Sequence, residues 1–541
     1  MLDKEKLKIL LLCLLLLVVV AVLYGQYLWN PILFDDSSFF TIEADGSSHI
    51  LKSAASFSLF ELRSLPYATL GWTAQIFGLE LIWFRLGNLL LHAAVVLALF
   101  FFLTKLFVAV YGDHDEVALS PRHAAFFAAL LFALHPVATY AAGYLVQRTI
   151  IMATLLGLLS MLAYMHGSIR NKPLWLWMSV PLYYLTVLSK EHAIMLPFVL
   201  LALTMLLHED WRAKLKQRWG IFAAFAAIAL FVLLEQKGVL GSVYEINAPE
   251  MLQVTDSQLS YPLSVLTQSW LFFKYAGLWL FPNSAWMSVD MREPFARSLF
   301  SPYLVSAGCF VAWGGAAVWL LLRRGMTGLV GFALLFPWLL FFTEFSTVRI
   351  QESFVLYRSY LWAVGAFCLL PVVFARVNVR MATLVLTIIA LAMLPISMER
   401  LMTFSHPVLL WDDAEKLVRG RTDLPGAYRI YYNRGTELIK INEQDRAIAD
   451  LKQALALRAD LAAAYGNLGA AYLNKRDWQN AIDSFGAAIE LTRKAGDAPR
   501  PRFYFGRAMV YEEMGDMQKA QADYQESCRL ANAGCDKAGL L

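Results

Sequence analysis

The sequence predicts an all-α protein in two parts. A polytopic membrane region covers residues 1–400, and a C-terminal α-solenoid covers 428–541 beyond a linker at 401–427. Three observations carry this. The chain is 59% hydrophobic and 16% charged, where soluble globular chains run at roughly 45–50% apolar and about 25% charged. About eleven stretches approach the ~20 apolar residues that cross a bilayer. After residue 400 the composition turns to Ala, Tyr and charged residues, and a repeat sets in.

The first element follows Lys4, Lys6 and Lys8 and runs to residue 29. It exceeds the roughly 7–15 apolar residues of a signal-peptide core and lacks a small-residue cleavage site, so it reads as a retained helix with its N-terminus in the cytoplasm. Further spans are expected near 86–107, 123–142, 148–167, 174–189, 193–208, 219–236, 303–322, 328–344, 360–376 and 381–397. Eleven crossings put the C-terminal part outside. Lys and Arg near helix ends favour the cytoplasmic side. The loops expected inside carry Lys105 and Arg122, Arg170 and Lys172, "WRAKLKQRW" at 211–219, Arg323 and Arg324, and Arg376 and Arg380. The outer loops are then 30–85 and 237–302. Within the second, 263–282 is apolar but contains Lys274, and reads as interfacial or re-entrant. Residues 53–84, broken by Arg63, Pro66 and Gly71, read as lying on the outer surface.

In the C-terminal part Gly435 and Gly469 stand 34 residues apart, as do Ala447 and Ala481, and Leu451 and Phe485. A third copy, with Ala508, Tyr511, Ala520 and Tyr524, follows an insertion at "GDAPRPR". Small residues at fixed places let paired helices pack closely. The pattern resembles the tetratricopeptide repeat, with copies near 428–461, 462–495 and 501–534. Such arrays present a concave surface to a partner, which makes a protein acceptor or partner the expected occupant. Cys528 and Cys535 are seven residues apart, either bridged or two buried thiols. Five Cys in all exclude a disulfide scaffold, and none has zinc-site spacing. The net charge of +4, without a basic tail or face, excludes nucleic acid as a partner.

Polar residues concentrate in the outward loops. Asp35 and Asp36 follow the first helix. Arg85, Asn88 and His92 lie three and four apart, on one helical face. His135, Tyr140, Tyr144, Gln147 and Arg148 end the third span, Ser189, Lys190, Glu191 and His192 form a turn, and Arg349, Glu352, Arg358 and Tyr360 precede the tenth span. Singly, each has a plain structural reading as a solvated loop, a snorkelling side chain or a helix end. Together they set an acid pair against several cations. Arg and Lys suit a phosphate leaving group, and a carboxylate suits general-base work on a hydroxyl.

The ordered strings "NPILFDD", "RLGNLLLH", "LFALHPV…YLVQR", "LSKEHAIMLP" and "QESFVLYRSYL", with the terminal repeats, resemble the GT-C glycosyltransferases, and most closely their transmembrane-and-tetratricopeptide O-mannosyltransferase-like group and its bacterial relatives. The resemblance implies a polyprenyl-phosphate sugar donor, an active site at the outer membrane face, and a first-loop acid as base. It carries the catalytic role to Asp36 or Asp35 and donor-phosphate contact to Arg85, Arg148, Lys190 and Arg358, with His135, Glu191, Glu352 and Tyr360 in support. "SSFFTIEADG" departs from the family's continuation after the acid pair, so Glu43 and Asp45 stay open as contributors. Some members bind a divalent metal through first-loop acids; no ligand set emerges here and no metal or other cofactor is expected. The expectation is a bacterial inner-membrane enzyme in contact with membrane lipids, with its repeats in the periplasm. An oligosaccharyltransferase using a diphosphate-linked glycan, a lipid-linked sugar transporter and a non-enzymatic scaffold are the alternatives.

Overall fold

The computed structural model describes residues 4–41, 48–112, 119–235, 259–350, 352–498, 500–531 and 533–538. Every regular element among them is a helix. The chain divides into two compact units, one of Met1–Val289 with Pro294–His406, the other of Asp290–Glu293 with Pro407–Leu541.

The membrane unit opens with α1 (Lys4–Tyr24), then α2 (His49–Ala54), α3 (Ser64–Phe77) and the 30-residue α4 (Leu81–Val110). There follow α5 (Pro121–Ala133), α6 (Thr139–Ala142), α7 (Arg148–Arg170), α8 (Pro173–Ser189), α9 (Leu196–Leu207), α10 (Trp211–Gln217) and α11 (Trp219–Glu235). After residue 258 come α12 (Ser260–Leu280), α13 (Tyr303–Arg323), α14 (Gly325–Phe341), α15 (Ser359–Ala366), α16 (Leu370–Val373) and α17 (Val379–Thr403).

All eleven expected stretches are helical where described, but among the described residues only seven helices are long and apolar enough to cross a membrane. Two more qualify only as bent pairs: Pro121–Ala133 with Pro136–Ala142 at 53°, and Trp211–Gln217 with Trp219–Glu235 at 70°. The first bend falls at Pro136, which cannot continue the helix. The remaining two stretches are simply short. α8 has 17 residues, about 26 Å at 1.5 Å each, and ends at Ser189; the helix Glu191–Leu207 is shorter than a span. α12 is a continuous 21-residue helix that buries Ser260, Ser264, Thr267, Gln268 and Ser269.

Glycines set the closest approaches. A Cβ on Gly331 of α14 would lie 2.1 Å from the Leu321 nitrogen of α13, and one on Gly167 of α7 would lie 2.6 Å from the Leu176 nitrogen of α8. Without side chains there, backbones touch and dispersion replaces the hydrophobic drive that lipid does not supply.

Contacts sort the polar residues to two ends of this unit. At one, the loop after α1 meets the start of α4 and the turn before α7, and Arg63 of the α2–α3 connection meets the turn after α8. At the other, Arg122 pairs with Glu5, Lys105 Nζ lies 2.7 Å from His166 Nδ1, and Arg218 bonds Ser168.

The second unit begins with α18 (Pro407–Val418), a helix inside the stretch expected to be linker, with Val408 packed against Leu438 and Ala447. Three helix pairs follow: α19 (Tyr428–Lys440) with α20 (Gln444–Leu457), α21 (Ala462–Asn474) with α22 (Trp478–Lys494), and α23 (Pro501–Glu513) with α24 (Met517–Ala531). Each turn places one residue at positive φ at the same repeat position: Asn442, Arg476 and Gly515. In the first and third pairs Arg434 bonds Asp450 and Arg507 bonds Asp523, each through two nitrogens at 2.7–2.9 Å. The second pair has Leu468 and Ser484 at the matching places. Cys528 and Cys535 form a disulfide that ties α24 to the turn after it.

Candidate functional site

The loop after α1 turns at Phe34, whose φ of +45° is left-handed, and tightens into a 3₁₀ turn over Phe34–Ser38. At three residues per turn, neighbouring side chains diverge by about 120°. The adjacent acids therefore face different surroundings. Asp35 is exposed, and its backbone N–H donates to Tyr144 Oη at 2.9 Å. Asp36 points inward, 1% exposed, and its Oδ1 accepts from the Val146 N–H at 2.9 Å. Burial pushes the Asp36 carboxyl up from 3.8 to about 7, against the lowering pull of that backbone bond and of Arg85; the charge of Asp35 adds to the rise.

The face of α4 carrying Arg85, Asn88 and His92 is wholly buried. Arg85 donates through Nη2 to the Pro31 carbonyl and stacks 4.5 Å over the Tyr27 ring. Its Nε and Nη1 have no hydrogen-bond partner among the described residues. A buried guanidinium with two open donors is costly to keep unless an anion visits it.

Arg148 is otherwise employed. Its Nε donates to Asn88 Oδ1 at 2.7 Å, Nη1 to Thr69 Oγ1 at 3.2 Å and Nη2 to the Phe84 carbonyl at 2.6 Å. All three nitrogens bolt α7 to α3 and α4, which fixes the guanidinium as a joint between these helices. Asn88 completes the joint by donating to the Leu145 carbonyl at 3.0 Å. His92 Nδ1 lies 2.6 Å from Tyr360 Oη, and both side chains are buried in the core. His135 caps the break before Pro136, accepting from Val137 N at 3.2 Å and stacking 4.3 Å from Trp279. His135 and Tyr360 are thus packing residues, held by partners other than the acid pair.

A second charged cluster forms around the turn after α8. Lys190 is buried above the Tyr357 ring, 5.7 Å away, with no carboxylate partner among the described residues. Burial, and then Arg63, Arg358 and Arg349, push its ammonium down to about 7, although Glu191 pulls the other way. Glu191 is clasped by Arg63, whose Nε stands 3.1 Å from Oε2, and its Oε1 is 3.5 Å from His192 Nδ1. His192 Nε2 lies 3.3 Å from Glu344 Oε1, and Glu344 Oε2 accepts from Arg358 Nη1 at 2.9 Å. Arg358 also reaches the Glu352 carbonyl at 3.4 Å, so Glu352 contributes backbone there. Arg349 donates to Thr347 Oγ1 at 3.0 Å and has no carboxylate partner among the described residues.

The clusters meet at Tyr357, which lies beneath Lys190 and within electrostatic reach of Asp35, Glu352, Arg349 and Arg358. Of the four expected phosphate contacts, Arg85 and Lys190 are without a carboxylate partner, whereas Arg148 and Arg358 are engaged by protein groups. In the sequence Arg63 stands out only as a break in the 53–84 stretch, and Glu344 is not among the candidate residues. The only signal for Glu344 is an acid inside "LLFFTEFSTV", where charge is expensive. Among the described residues no three His, Cys, Asp or Glu side chains gather as a metal site. Glu43 and Asp45 lie outside the described residues.

Comparison with protein families matches the tetratricopeptide repeat over residues 428–461 and again over 460–533. No curated protein matches the chain. The matched residues cover the three helix pairs, and such repeats commonly mediate protein interactions.

Proposed function

We propose that this protein is an integral-membrane glycosyltransferase of the GT-C type, moving a sugar from a polyprenyl-phosphate donor to an acceptor hydroxyl on a protein. The observation that carries the reading is the pairing of Asp36, whose proton affinity burial sets near neutrality, with buried cations that lack carboxylate partners. The donor phosphate lies against Arg85 and Lys190, with Arg349 beside them. Glu191 and Glu344 offset the charge of Lys190 and Arg349, while Arg148 fixes the helix that carries Arg85. An acceptor hydroxyl gives its proton to Asp36, its oxygen bonds the anomeric carbon, and the bond from that carbon to phosphate oxygen breaks. Polyprenyl phosphate leaves with the electron pair, and its growing charge is what the cations stabilise. Asp35, exposed beside Asp36, orients the acceptor.

The site belongs to the periplasmic face of a bacterial inner membrane, with the repeats on that side to receive the acceptor. Seven unbroken crossings, or nine with both bent pairs, are odd numbers, which supports opposite sides for the two ends of the chain. A cysteine label placed in the repeats should react from outside in intact cells; labelling only after permeabilisation of the inner membrane would overturn that placement.

The catalytic reading is tested by transfer from polyprenyl-phosphate sugars with purified wild type, Asp36→Asn and Asp35→Asn. A positioned base contributes about 10²–10⁴-fold, so Asp36→Asn should lose at least about a hundredfold in turnover. If neither substitution costs tenfold, the base assignment fails.

A further inference from the structure

The end of the membrane unit away from the acid pair carries a second charged assembly for which sugar transfer has no use. α10 and α11 meet at 70°, and Arg218 sits at the corner, 5% exposed. Its Nη1 donates to Ser168 Oγ at 2.7 Å and its Nη2 to the Ser168 carbonyl at 3.4 Å. The guanidinium lies 5.9 Å over the Tyr164 ring, and His208 Nε2 is 2.7 Å from the same Ser168 hydroxyl. No carboxylate among the described residues pairs with Arg218. A charge buried at the edge of a membrane without a counter-ion is unfavourable.

The surroundings supply more positive charge. Arg170, Lys172, Arg212 and Lys216 are exposed, and none pairs with a carboxylate among the described residues. The acids nearby are Asp210 and Glu209, and Glu209 is turned to Arg324 at 2.7 Å with its side chain 91% exposed. Indoles flank the same corner. Trp219 is 72% exposed and Trp177 51% exposed, and a Cβ on Gly220 would touch the Trp177 ring at 3.9 Å, so the Trp177 ring of α8 lies against the start of α11. Amphipathic indoles settle at the headgroup level of a bilayer.

We propose that this corner binds the phosphate of an anionic phospholipid of the adjoining leaflet. Arg218 faces the phosphate from within, the exposed cations of α10 and of the α7–α8 turn hold it from outside, and Trp177 and Trp219 flank the acyl–glycerol junction. The inference rests on the chain being a membrane protein and is independent of the transferase reading. Basic residues at a membrane surface each favour anionic lipid by about fivefold, which sets the size of the effect.

The full chain, purified in mild detergent, is offered equal mole fractions of phosphatidylglycerol and phosphatidylcholine, and retained lipids are counted by native mass spectrometry. Wild type should retain phosphatidylglycerol at least about tenfold over phosphatidylcholine. Arg218→Gln should abolish the preference. Because that variant risks misfolding, Arg212→Gln/Lys214→Gln/Lys216→Gln, which leaves the buried arginine in place, should cut the preference at least about tenfold with an unchanged melting temperature. Equal retention of both lipids by wild type overturns the proposal. So does a preference that the triple variant leaves intact, or one that millimolar inorganic phosphate removes, since the ligand is then a soluble anion.

Discussion

Asp36→Asn separates the cost of the buried carboxylate from its use. Burial raises the Asp36 carboxyl from 3.8 to about 7. A folded-state value above the unfolded one means the folded chain holds a proton that the unfolded chain has released. Stability is therefore full below about pH 4 and falls as pH rises towards 7, by about 1.36 kcal/mol per unit. The full interval corresponds to roughly 4 kcal/mol, of which roughly 2.5 kcal/mol falls between pH 5 and pH 8. Asparagine keeps an acceptor for the Val146 N–H but carries no charge, so its stability lacks this slope. Lys190 titrates near the same pH, but it is common to both proteins and cancels in the difference. The assay is unfolding in mixed micelles by denaturant titration at pH 5, 6.5 and 8. Asp36→Asn should gain on wild type by about 2.5 kcal/mol from pH 5 to pH 8 while losing transfer activity. A constant offset at all three pH values would be a packing effect, such as an amide hydrogen meeting a second backbone N–H. If the difference does not grow with pH, the carboxylate is compensated in the folded state and the argument for a poised base collapses.

Three other outcomes follow from the same geometry. Arg85→Gln removes the open guanidinium and should raise the donor KM by roughly 10–100-fold, the range of a charged hydrogen bond, whereas Arg148→Gln should destabilise by about 3 kcal/mol through its stranded acceptors without that KM change. Gly331→Ala puts a methyl 2.1 Å from the Leu321 nitrogen; neither backbone can yield, and unfolding titrations should show a loss above about 2 kcal/mol. Arg434→Leu strands Asp450, while Glu415 keeps Arg419, and should cost about 3 kcal/mol in thermal unfolding of the full chain, with Arg434→Leu/Asp450→Ser recovering at least half because it reproduces the Leu468 and Ser484 pair of the second repeat.

What was legible in the sequence follows from what each signal depends on. Apolar length and repeat spacing are properties of the string, so the eleven helical stretches and the three helix pairs could be read directly. Whether a helix crosses whole, bends or stops short depends on where its partners hold it. The break at Pro136 and the corner at Arg218 therefore needed the folded chain. The same limit separates Arg85 from Arg148. Both are arginines near the starts of apolar helices, and nothing local distinguishes them. Only folding shows that Asn88, Thr69 and the Phe84 carbonyl consume every nitrogen of Arg148 while Arg85 keeps two. Arg63 meets Glu191 across 128 residues of chain, and Glu344 meets Arg358 across a span end, pairings that no spacing rule anticipates.

The distribution of polar groups also bears on the choice between an enzyme and a conduit. A transporter needs a polar route through the midplane, usually lined by broken helices. Between the two charged ends, α4 buries Val95, Val96, Leu99, Phe100, Phe102, Leu103 and Leu106. The hydroxyls at that depth are spent locally. Thr154 donates to the Ile150 carbonyl at 2.8 Å, Ser160 to the Ser179 carbonyl at 2.8 Å and Thr186 to the Leu182 carbonyl at 2.7 Å. Side chains satisfied within their own helix or its neighbour offer nothing to a hydrophilic cargo. Arg85 and Lys190, buried without carboxylate partners among the described residues, lie near the exposed Asp35 at one end, whereas Arg218, the buried cation of the other end, stands apart from the acid pair. That asymmetry favours chemistry on a lipid headgroup presented at one face. Sealed vesicles give the discriminating measurement: wild type should consume donor supplied on the acid-pair side without moving labelled lipid-linked sugar across, and translocation in the absence of acceptor would refute it.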